Sequence, residues 1–346
     1  MIRLDTDAIV IRKDIADILS SKLPWMSLTG KTVAVTGAYG MLAAYVVETL
    51  LTLGNVKVIA LVRSEAKAKE RFRRYLDNPL LSLREYACNA PLTNIGQIDF
   101  IVHAASIPRP DKEIPVDVLT PNIIGTYHLL EAARKQPHFE QFIFFSSGAV
   151  YGEIEASDPI TENMVFPIDQ SDAANCYALG KITGESLCAA YGKQYGISTK
   201  MLRLAHTYGP GMDLNNDIRA FSEFIRSALQ GNKITLHTAG TQKRSYCYIS
   251  DATRAFFDIL FNGERGNAYN LVNKAETYSI RNFAELVAAN APKPVEVEIR
   301  TQSISGGYAP QYNAAILSDK KIKSLGWSPI VGLAEGLRRT MAAYTT

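Results

Sequence analysis

The chain has 346 residues, of which 37 are basic, 34 are acidic and 47% are hydrophobic. Its formal net charge of +3 favours neither a nucleic acid nor a membrane surface as a partner. No apolar run approaches the roughly 18 residues of a membrane-spanning helix, and acidic residues near the N-terminus break any signal-peptide pattern. The composition therefore predicts an ordinary globular protein.

The four cysteines indicate a reducing compartment. None belongs to a CxxC pair and their spacings match no zinc site, so we expect no bound metal. So few thiols in so long a chain are typical of unpaired, mostly buried cysteines, and the predicted location is the cytoplasm. These residues are Cys88, Cys176, Cys188 and Cys247.

Residues 1–30 are predicted to form an N-terminal helical arm. Apolar side chains follow helical spacing over residues 7–19, and Pro24 then interrupts the pattern. Such an arm could cover core surface, contribute to a dimer or form part of a lid. The first of these interpretations is favoured.

From residue 31 onward, short β-rich runs alternate with helical patterns. Residues 32–36 (TVAVT) form a predicted strand that ends at Gly37, and residues 41–53 form an apolar helix. This alternation predicts an α/β fold, with a parallel sheet covered by helices on both faces. Further strands are predicted at 56–62, 98–103, 141–146 and 197–205, and a further helix at 116–135.

A glycine-rich loop joins the first strand to the first helix. Residues 37–43 read GAYGMLA, with the spacing G-x-x-G-x-x-A. Glycine permits a tight turn and lets backbone N–H groups approach a pyrophosphate, while the helix N-terminus favours negative charge. The strand–loop–helix context therefore predicts a dinucleotide site, with Gly37, Tyr39, Gly40 and Met41 as contacts.

The choice of dinucleotide is predicted at the end of the second strand. An acidic residue there would bind the adenosine ribose 2′-hydroxyl of NAD. The chain has Val62, Arg63 and Ser64 instead, and Arg63 could pair with a 2′-phosphate. This favours NADP over NAD, although Arg63 could also be a solvated charge or stack on the adenine.

Three residues form a candidate catalytic set. Tyr177 and Lys181 are spaced i, i+4, which places them on one face of a helix. A neighbouring ammonium stabilises a phenolate, so this pair can move a proton to or from a sugar hydroxyl while hydride moves at a nicotinamide. Ser147 follows the strand at 141–146, at the sheet edge where ligands bind, and could hydrogen-bond the same oxygen.

These motifs together resemble the extended short-chain dehydrogenase/reductase family of nucleotide-sugar epimerases and dehydratases. The resemblance covers roughly residues 31–340. Besides the loop and the three catalytic candidates, the matching segments are 99–106 (DFIVHAAS), 122–126 (NIIGT), 203–210 (RLAHTYGP), 244–251 (RSYCYISD), 326–327 and 332–337.

The resemblance implies a Rossmann-type, doubly wound parallel sheet with a smaller C-terminal α/β substrate-binding lobe. The NAD(P)-binding domain would span residues 31–196, with segments 197–206 and 244–262 returning to it. Residues 207–346 would mainly bind a nucleoside-diphosphate sugar. A homodimer through the helices within 114–135 and 172–195 is expected by analogy.

Site roles also follow from the resemblance. Tyr177 would be the acid/base, Lys181 would tune it and contact the cofactor, and Ser147 would hold the substrate hydroxyl. Arg244 would bind the diphosphate. The other implied contacts are Ala104 for the cofactor and Ser106, Asn122 and His206 for the substrate.

Two positions depart from the family pattern. Carboxylates occupy one or both positions equivalent to Gly148 and Ala149 in the 4,6-dehydratases and glucuronate decarboxylases, and dehydration needs an acid and a base. The small pair here resembles the 4-epimerases, although Glu153 or Glu155 could substitute. His206 stands where the family often has Asn, and either a ligand role or a structural role is open to it.

The leading prediction is therefore 4-epimerisation of a nucleotide hexose or hexuronate by transient oxidation at C4. A dehydratase, a decarboxylase or a 4-keto-sugar reductase is the alternative, and a preference for NADP would suit the reductase. A non-catalytic NAD(P)-binding scaffold is disfavoured by the intact catalytic set. Arg109, Lys112 and Arg219 could touch phosphate, although solvated charges are favoured there. His103 could act near the cofactor and Tyr246, Tyr248, Tyr269 and Tyr278 could stack on a base, but packing explains them at least as well.

Overall fold

The computed structural model describes residues 2–107, 115–152, 158–217, 219–300 and 316–345. The strands are β1 (Arg3–Leu4), β2 (Thr32–Thr36), β3 (Lys57–Val62), β4 (Leu81–Glu85), β5 (Phe100–His103), β6 (Gln141–Ser147), β7 (Thr199–Leu204), β8 (His206–Tyr208), β9 (Ile234–Leu236), β10 (Lys243–Tyr248), β11 (Ala268–Leu271), β12 (Thr277–Ser279), β13 (Val297–Ile299) and β14 (Tyr344–Thr345). The helices are α1 (Ile9–Leu19), α2 (Met41–Leu53), α3 (Glu65–Arg71), α4 (Pro115–Thr120), α5 (Thr126–Arg134), α6 (Cys176–Tyr195), α7 (Ala220–Leu229), α8 (Ile249–Asn262), α9 (Ile280–Ala289), α10 (Lys320–Lys323) and α11 (Leu333–Ala342).

Seven parallel strands form the central sheet. Their order is β11-β7-β6-β5-β2-β3-β4, and every neighbouring pair runs in the same direction. The chain builds outward from β2 to β4, then crosses back to place β5 on the other side of β2. The carboxyl ends of β2 and β5 thus meet where the winding reverses, which is the point where open α/β sheets bind ligands. The predicted fold class is confirmed.

Alternate residues of each central strand belong to different faces. Val33 and Val35 of β2 join the core under α2 and α8, whereas Ala34 joins the core under α5 and α6. The same alternation places Val102 on the first face and Ile101 on the second. Both faces are covered, which explains why these strands are continuous apolar runs rather than alternating ones.

The helix predicted at 116–135 is present in the structure and contains a π-helical turn. Helix α4 ends at Thr120, residues Pro121–Gly125 form one π-helical turn, and α5 follows. Proline has no N–H to donate, so Pro121 cannot continue an α-helical ladder. Turns of this kind often occur at functional sites, and this one faces the carboxyl end of β5.

The smaller lobe contains short strands and two packed helices. Strand β10 lies between β8, to which it is parallel, and β12, to which it is antiparallel. Strands β9 and β13 form a parallel pair, and α7 packs against α9. The register places Tyr246 of β10 beside His206 of β8. Arg244 precedes Tyr246 by two residues on the same strand.

The N-terminal arm ties the two lobes together. Helix α1 packs against α2 of the larger domain and against α8, and β1 pairs antiparallel with β14 near the C-terminus. The side-chain amide of Asn215 donates to the carbonyl of Ile2 at 2.7 Å. Helix α1 begins at Ile9, and its buried residues include Ile11, Ile15 and Ile18. The arm therefore covers core surface.

A buried carboxylate anchors this arm. Asp14 of α1 is fully buried, and its Oδ2 accepts hydrogen bonds from the hydroxyls of Tyr45 at 3.0 Å and Tyr248 at 2.7 Å. Its Oδ1 accepts from Arg339 Nη1 at 2.9 Å. These partners come from α2, β10 and α11. Burial nevertheless raises the pKa of Asp14 above the usual value of an aspartate, while the three partners oppose that rise.

The described part of the chain contains no helix long and apolar enough to cross a membrane. Its His, Cys, Asp and Glu side chains also form no group of three that could hold a metal ion. All four cysteines are free thiols; Cys176, Cys188 and Cys247 are buried, whereas Cys88 is partly exposed.

We predict that Asp14→Ala lowers the free energy of unfolding by about 3 kcal/mol, because it removes the buried acceptor of two hydroxyls and one guanidinium. Urea unfolding measures the difference. Asp17→Ala is the control, because Asp17 is partly exposed and its contact with Arg339, at 3.6 Å, is longer than that of Asp14. Its loss should cost less than about 1 kcal/mol. Equal losses for the two variants would contradict the anchoring role of Asp14.

Candidate active site

The loop after β2 requires glycine at its first position. Gly37 has φ of +61°, and a Cβ atom there would lie 2.9 Å from the Cα of Ala105. No larger side chain fits this approach between the ends of β2 and β5. Gly40 then precedes the first turn of α2, and its N–H donates to the carbonyl of Gly37 at 2.8 Å. Ala43, the third position of the motif, lies in the first turn of α2 and is buried.

A buried threonine and histidine fix the segment opposite this loop. Thr36 Oγ1 accepts from the backbone N–H groups of Ala104 and Ala105, each at 3.1 Å, so its own proton goes to His103 Nδ1 at 2.8 Å. His103 Nε2 must then carry a proton, which it donates to the carbonyl of Pro121 at 3.1 Å. Burial, followed by the charge of Lys181, lowers the pKa of His103 to about 3, so the ring is neutral. His103 therefore has a packing and hydrogen-bonding role.

A cavity of about 470 Å³ opens beside this loop. The helix N-terminus, the glycine turn and the size of the cavity suit a dinucleotide. Met41 lies instead beside Gly211, on the side of the smaller lobe. Of the predicted cofactor residues, the cavity is lined by Gly37, Tyr39, Gly40, Arg63 and Ala104; it is also lined by Ser106, predicted for the substrate, and by Tyr86, Cys88 and Asn89, which follow the unpredicted strand β4.

Helix α6 approaches β6 closely because it contains glycines where it touches neighbours. A Cβ atom on Gly184 would lie 2.4 Å from the ring of Phe144, and one on Gly180 would lie 3.1 Å from the Cβ of Asn122. The absence of a side chain at Gly184 therefore lets α6 pack directly against β6, and its absence at Gly180 lets the helix pack against Asn122. The side chains of Tyr177 and Lys181 consequently reach the carboxyl end of β6.

The structure brings the three catalytic candidates together. Ser147 ends β6, and its Oγ accepts from the N–H of Ala149 at 3.1 Å. Burial raises the pKa of Tyr177, whereas a hydrogen bond with Ser147 and then the charge of Arg219 oppose the rise. Lys181 Nζ lies 5.9 Å from the centroid of the Tyr177 ring. The hydroxyl that would exchange a proton with substrate thus has both a hydrogen-bond partner and nearby cations.

Lys181 is almost completely buried. Its ammonium donates to the carbonyl of Phe145 at 2.6 Å and lies 4.9 Å from the centroid of the Phe144 ring. Burial lowers its pKa to about 7, and Glu185 opposes this shift. The charge of Lys181 therefore changes near neutral pH, unlike that of an ordinary lysine.

Ser106 and Asn122 face each other across the cavity wall. Ser106 Oγ donates to Asn122 Oδ1 at 3.1 Å, and Asn122 Nδ2 donates to the carbonyl of Val118 at 2.8 Å. Asn122 is fully buried within the π-helical turn. It therefore holds the helices around the site together.

Small residues follow Ser147 in the structure. A Cβ atom on Gly148 would lie 3.1 Å from Cδ1 of Leu317, a buried residue that forms a β-bridge with Ile160. Little space is left there for a larger side chain. Ala149 is half-buried and carries no proton-transfer group. Glu153 and Glu155 lie outside the described residues.

Two arginines surround His206. Burial, assisted by the charges of Arg244 and Arg219, lowers the pKa of His206 to about 3. Arg219, expected to be a solvated charge, is exposed and also ion-paired with Asp217 at 2.6 Å, and its guanidinium lies 4.5 Å from the ring centroid of Phe221. Arg244 Nη1 donates to the backbone carbonyl of Lys243 at 2.8 Å. Asp217 offsets the charge of Arg219, so the guanidinium of Arg244 supplies the positive charge that suits an anionic substrate group here.

Four of the remaining sequence candidates are tyrosines within the described residues. Tyr248 donates to Asp14, and Tyr269 accepts from the N–H of Glu264 at 2.7 Å, so both hydroxyls have structural partners. Tyr246 stacks on Phe283 with 4.2 Å between centroids. Tyr278 pairs with Arg244 across β10 and β12, and Arg109 and Lys112 lie outside the described residues.

The comparison with known families agrees with this geometry. Residues 33–272 match the NAD dependent epimerase/dehydratase family. UDP-glucuronic acid decarboxylase 6 of Arabidopsis thaliana is 30% identical over 307 residues, which cover 88% of this chain and 86% of that protein. UDP-glucuronic acid decarboxylase 1 of Xenopus tropicalis is 29% identical and matches 90% of this chain and 71% of its own length. The chain belongs to the NAD-dependent epimerase/dehydratase family and is a nucleotide-sugar enzyme of that family.

Solved structures resemble the chain over most of its length. The UDP-glucuronic acid 4-epimerase of Bacillus cereus, in complex with UDP-glucuronic acid and NAD, has a TM-score of 0.76 and 25% identity and covers 90% of this chain and 98% of its own. The UDP-glucose 4-epimerase of Thermus thermophilus, in complex with NAD, has a TM-score of 0.72 and 26% identity, with 90% and 97% covered. Similar proteins thus include decarboxylases and epimerases.

Proposed function

We propose that this enzyme interconverts the C4 epimers of a nucleoside-diphosphate hexose or hexuronate. The observation that carries the proposal is the pair Gly148 and Ala149 beside the catalytic set. Elimination at C5 and C6 requires an acid and a base, which neither residue supplies. Epimerisation requires only proton exchange at O4 and hydride exchange at C4.

The chain's residues suit this reaction. A bound nicotinamide dinucleotide would supply the hydride acceptor and donor, held at the Gly37 turn and the start of α2. Tyr177 removes the proton from the C4 hydroxyl and returns one to the C4 ketone, and Ser147 holds the same oxygen. Lys181 stabilises the phenolate of Tyr177 while protonated. Arg244 attracts the diphosphate, and we propose that Asn122 and His206 shape the walls of the sugar site.

We expect purified protein, supplied with NAD or NADP, to convert one of the UDP-, GDP-, CDP- or TDP-linked hexoses or hexuronates into its C4 epimer, as measured by NMR. Tyr177→Phe should reduce turnover by about 1,000-fold, because the proton acceptor is lost. Tyr195→Phe, on the exposed end of the same helix, is the control and should retain activity.

Other products would contradict the proposal and would identify a different reaction. Release of CO2 would make the enzyme a decarboxylase, which the names of its curated relatives favour. Loss of the C6 hydroxyl would indicate a 4,6-dehydratase, and stoichiometric consumption of NADPH a 4-keto-sugar reductase. No conversion of any of these sugars, with Tyr177→Phe unchanged in every assay, would indicate a binding scaffold.

We also propose that the dinucleotide cavity accepts NADP in preference to NAD. Arg63 lines the cavity at the end of β3, where the chain has no carboxylate to bind a ribose 2′-hydroxyl. The two similar 4-epimerase structures contain NAD, so the proposed preference rests on the residues of this chain. The guanidinium of Arg63 would pair with the 2′-phosphate.

Arg63→Ala is expected to weaken NADP binding by about tenfold or more while leaving NAD binding nearly unchanged, because only NADP carries the paired phosphate. Titration calorimetry measures both affinities. Lys67→Ala, which removes an exposed charge from the neighbouring helix, is the control. Equal losses for both dinucleotides would place Arg63 on the adenine or the pyrophosphate instead.

We propose, in addition, that two copies associate through the face formed by α4, α5 and α6. This face exposes large apolar side chains at Val116, Ile124, Tyr127 and Tyr195, with exposed fractions from 42% to 66%. Neighbouring exposed apolar groups of this kind mark interaction surfaces. Two-fold association would let the same face of each copy cover the other.

Tyr127→Glu should convert the dimer into a monomer, because it places a charge in the centre of the apolar face. Sedimentation velocity reports the change. Ile330→Glu is the control, since Ile330 is 61% exposed and belongs to the loop before α11. A native chain that sediments as a monomer would refute the proposal.

A further inference from the structure

Glu185 and Arg203 form an ion pair next to the proposed catalytic residues. Glu185 lies on α6, one helical turn after Lys181, and Arg203 lies on β7, three residues before His206. Arg203 donates through Nε to Glu185 Oε1 at 3.0 Å and through Nη2 to Glu185 Oε2 at 2.7 Å. Both side chains are only 13–14% exposed, so the two-bond geometry is not a surface ion pair.

The pair also contacts the elements on either side. The hydroxyl of Ser146 donates to Glu185 Oε1, immediately before the catalytic Ser147. Arg203 Nη1 donates to the hydroxyl of Tyr151 at 2.8 Å and to the carbonyl of Glu162 at 3.0 Å. Tyr151 ends the turn that contains Gly148 and Ala149. One ion pair therefore joins the helix, both strands and the turn that supply the site.

The carboxylate of Glu185 lies close to the ammonium of Lys181. The two side chains contact adjacent residues of β6: Lys181 meets the carbonyl of Phe145, and Glu185 meets the hydroxyl of Ser146. The other titratable groups around Lys181 are Tyr177 on its own helix and the neutral His103 on β5. Glu185 is thus the anion that opposes the desolvation of Lys181.

We propose that the Glu185–Arg203 pair is a positioning element that sets the charge of Lys181 and, through Ser146, holds Ser147 in place. Glu185 favours the protonated amine, and Arg203 restrains that effect by neutralising part of the carboxylate charge. Neither residue touches the substrate. The proposal rests on the catalytic role proposed for Lys181, because the charge on that amine controls the phenolate of Tyr177.

The two partners should act on Lys181 in opposite directions. Glu185→Gln removes the anion and leaves Arg203 uncompensated, so the amine should lose its proton at lower pH. Arg203→Gln leaves Glu185 without its partner, so the amine should hold its proton to higher pH. A purely structural pair predicts no such opposition, since either loss would loosen the same contacts.

The titration midpoint of Lys181 tests this directly. Lysine labelled with 13C at Cε gives one resonance per residue, and Lys181→Arg assigns the signal in the full-length protein with its dinucleotide bound. Relative to the native chain, we expect the midpoint to fall by about one pH unit in E185Q and to rise by about one pH unit in R203Q. Ser146→Ala, which changes no charge, should leave the titration midpoint of Lys181 unchanged.

Charge-retaining variants keep the test decisive if R203Q does not fold. R203K and E185D should both titrate like the native chain, whereas E185Q should not. Shifts of E185Q and R203Q in the same direction, or a native midpoint in E185Q, would overturn the proposal. The measurement needs no substrate, so an enzyme that fails to epimerise sugars but shows these shifts would count against the proposed function alone.

Discussion

The hydrogen bond from the ammonium of Lys181 to the carbonyl of Phe145 is the contact on which the proposed active site depends. It requires α6 to lie against β6 at a distance that no side chain larger than hydrogen allows at Gly184. Burial at this contact lowers the pKa of Lys181 to about 7, while Tyr177 is placed one turn earlier on the same helix. Packing of a helix on a sheet is therefore also the origin of the chemistry proposed for this site.

Buried polar groups also hold structural elements together elsewhere in the molecule. Asp14 joins the arm to three other elements, Thr36 and His103 fix the segment facing the glycine loop, and Glu185 joins Arg203 beneath the site. Each group is costly to bury and each has its hydrogen bonds made. Asp14 joins elements of both lobes, whereas the other two groups hold elements of the larger domain together.

Most of the framework could be predicted from local pattern. The strands and the helix around Gly37 have strong periodicity, and their order alone indicates a parallel sheet. The helix predicted over 116–135 is present from Pro115 to Arg134, but the pattern does not show its π-helical turn at Pro121–Gly125, because that turn includes a contact between the Pro121 carbonyl and the distant His103. Strand β4 is missed because the segment LSLRE is short and, at the edge of the sheet, only partly buried.

The sequence by itself determined the family resemblance, the dinucleotide loop and the set Ser147, Tyr177 and Lys181, because short-range spacing on regular elements encodes them. Only the tertiary structure decided that Arg219 lies near Tyr177, that Leu317 crowds Gly148 and that Glu185 meets Arg203. These contacts join residues distant along the chain. Their distances depend on how the strands, loops and helices pack, which no local pattern records.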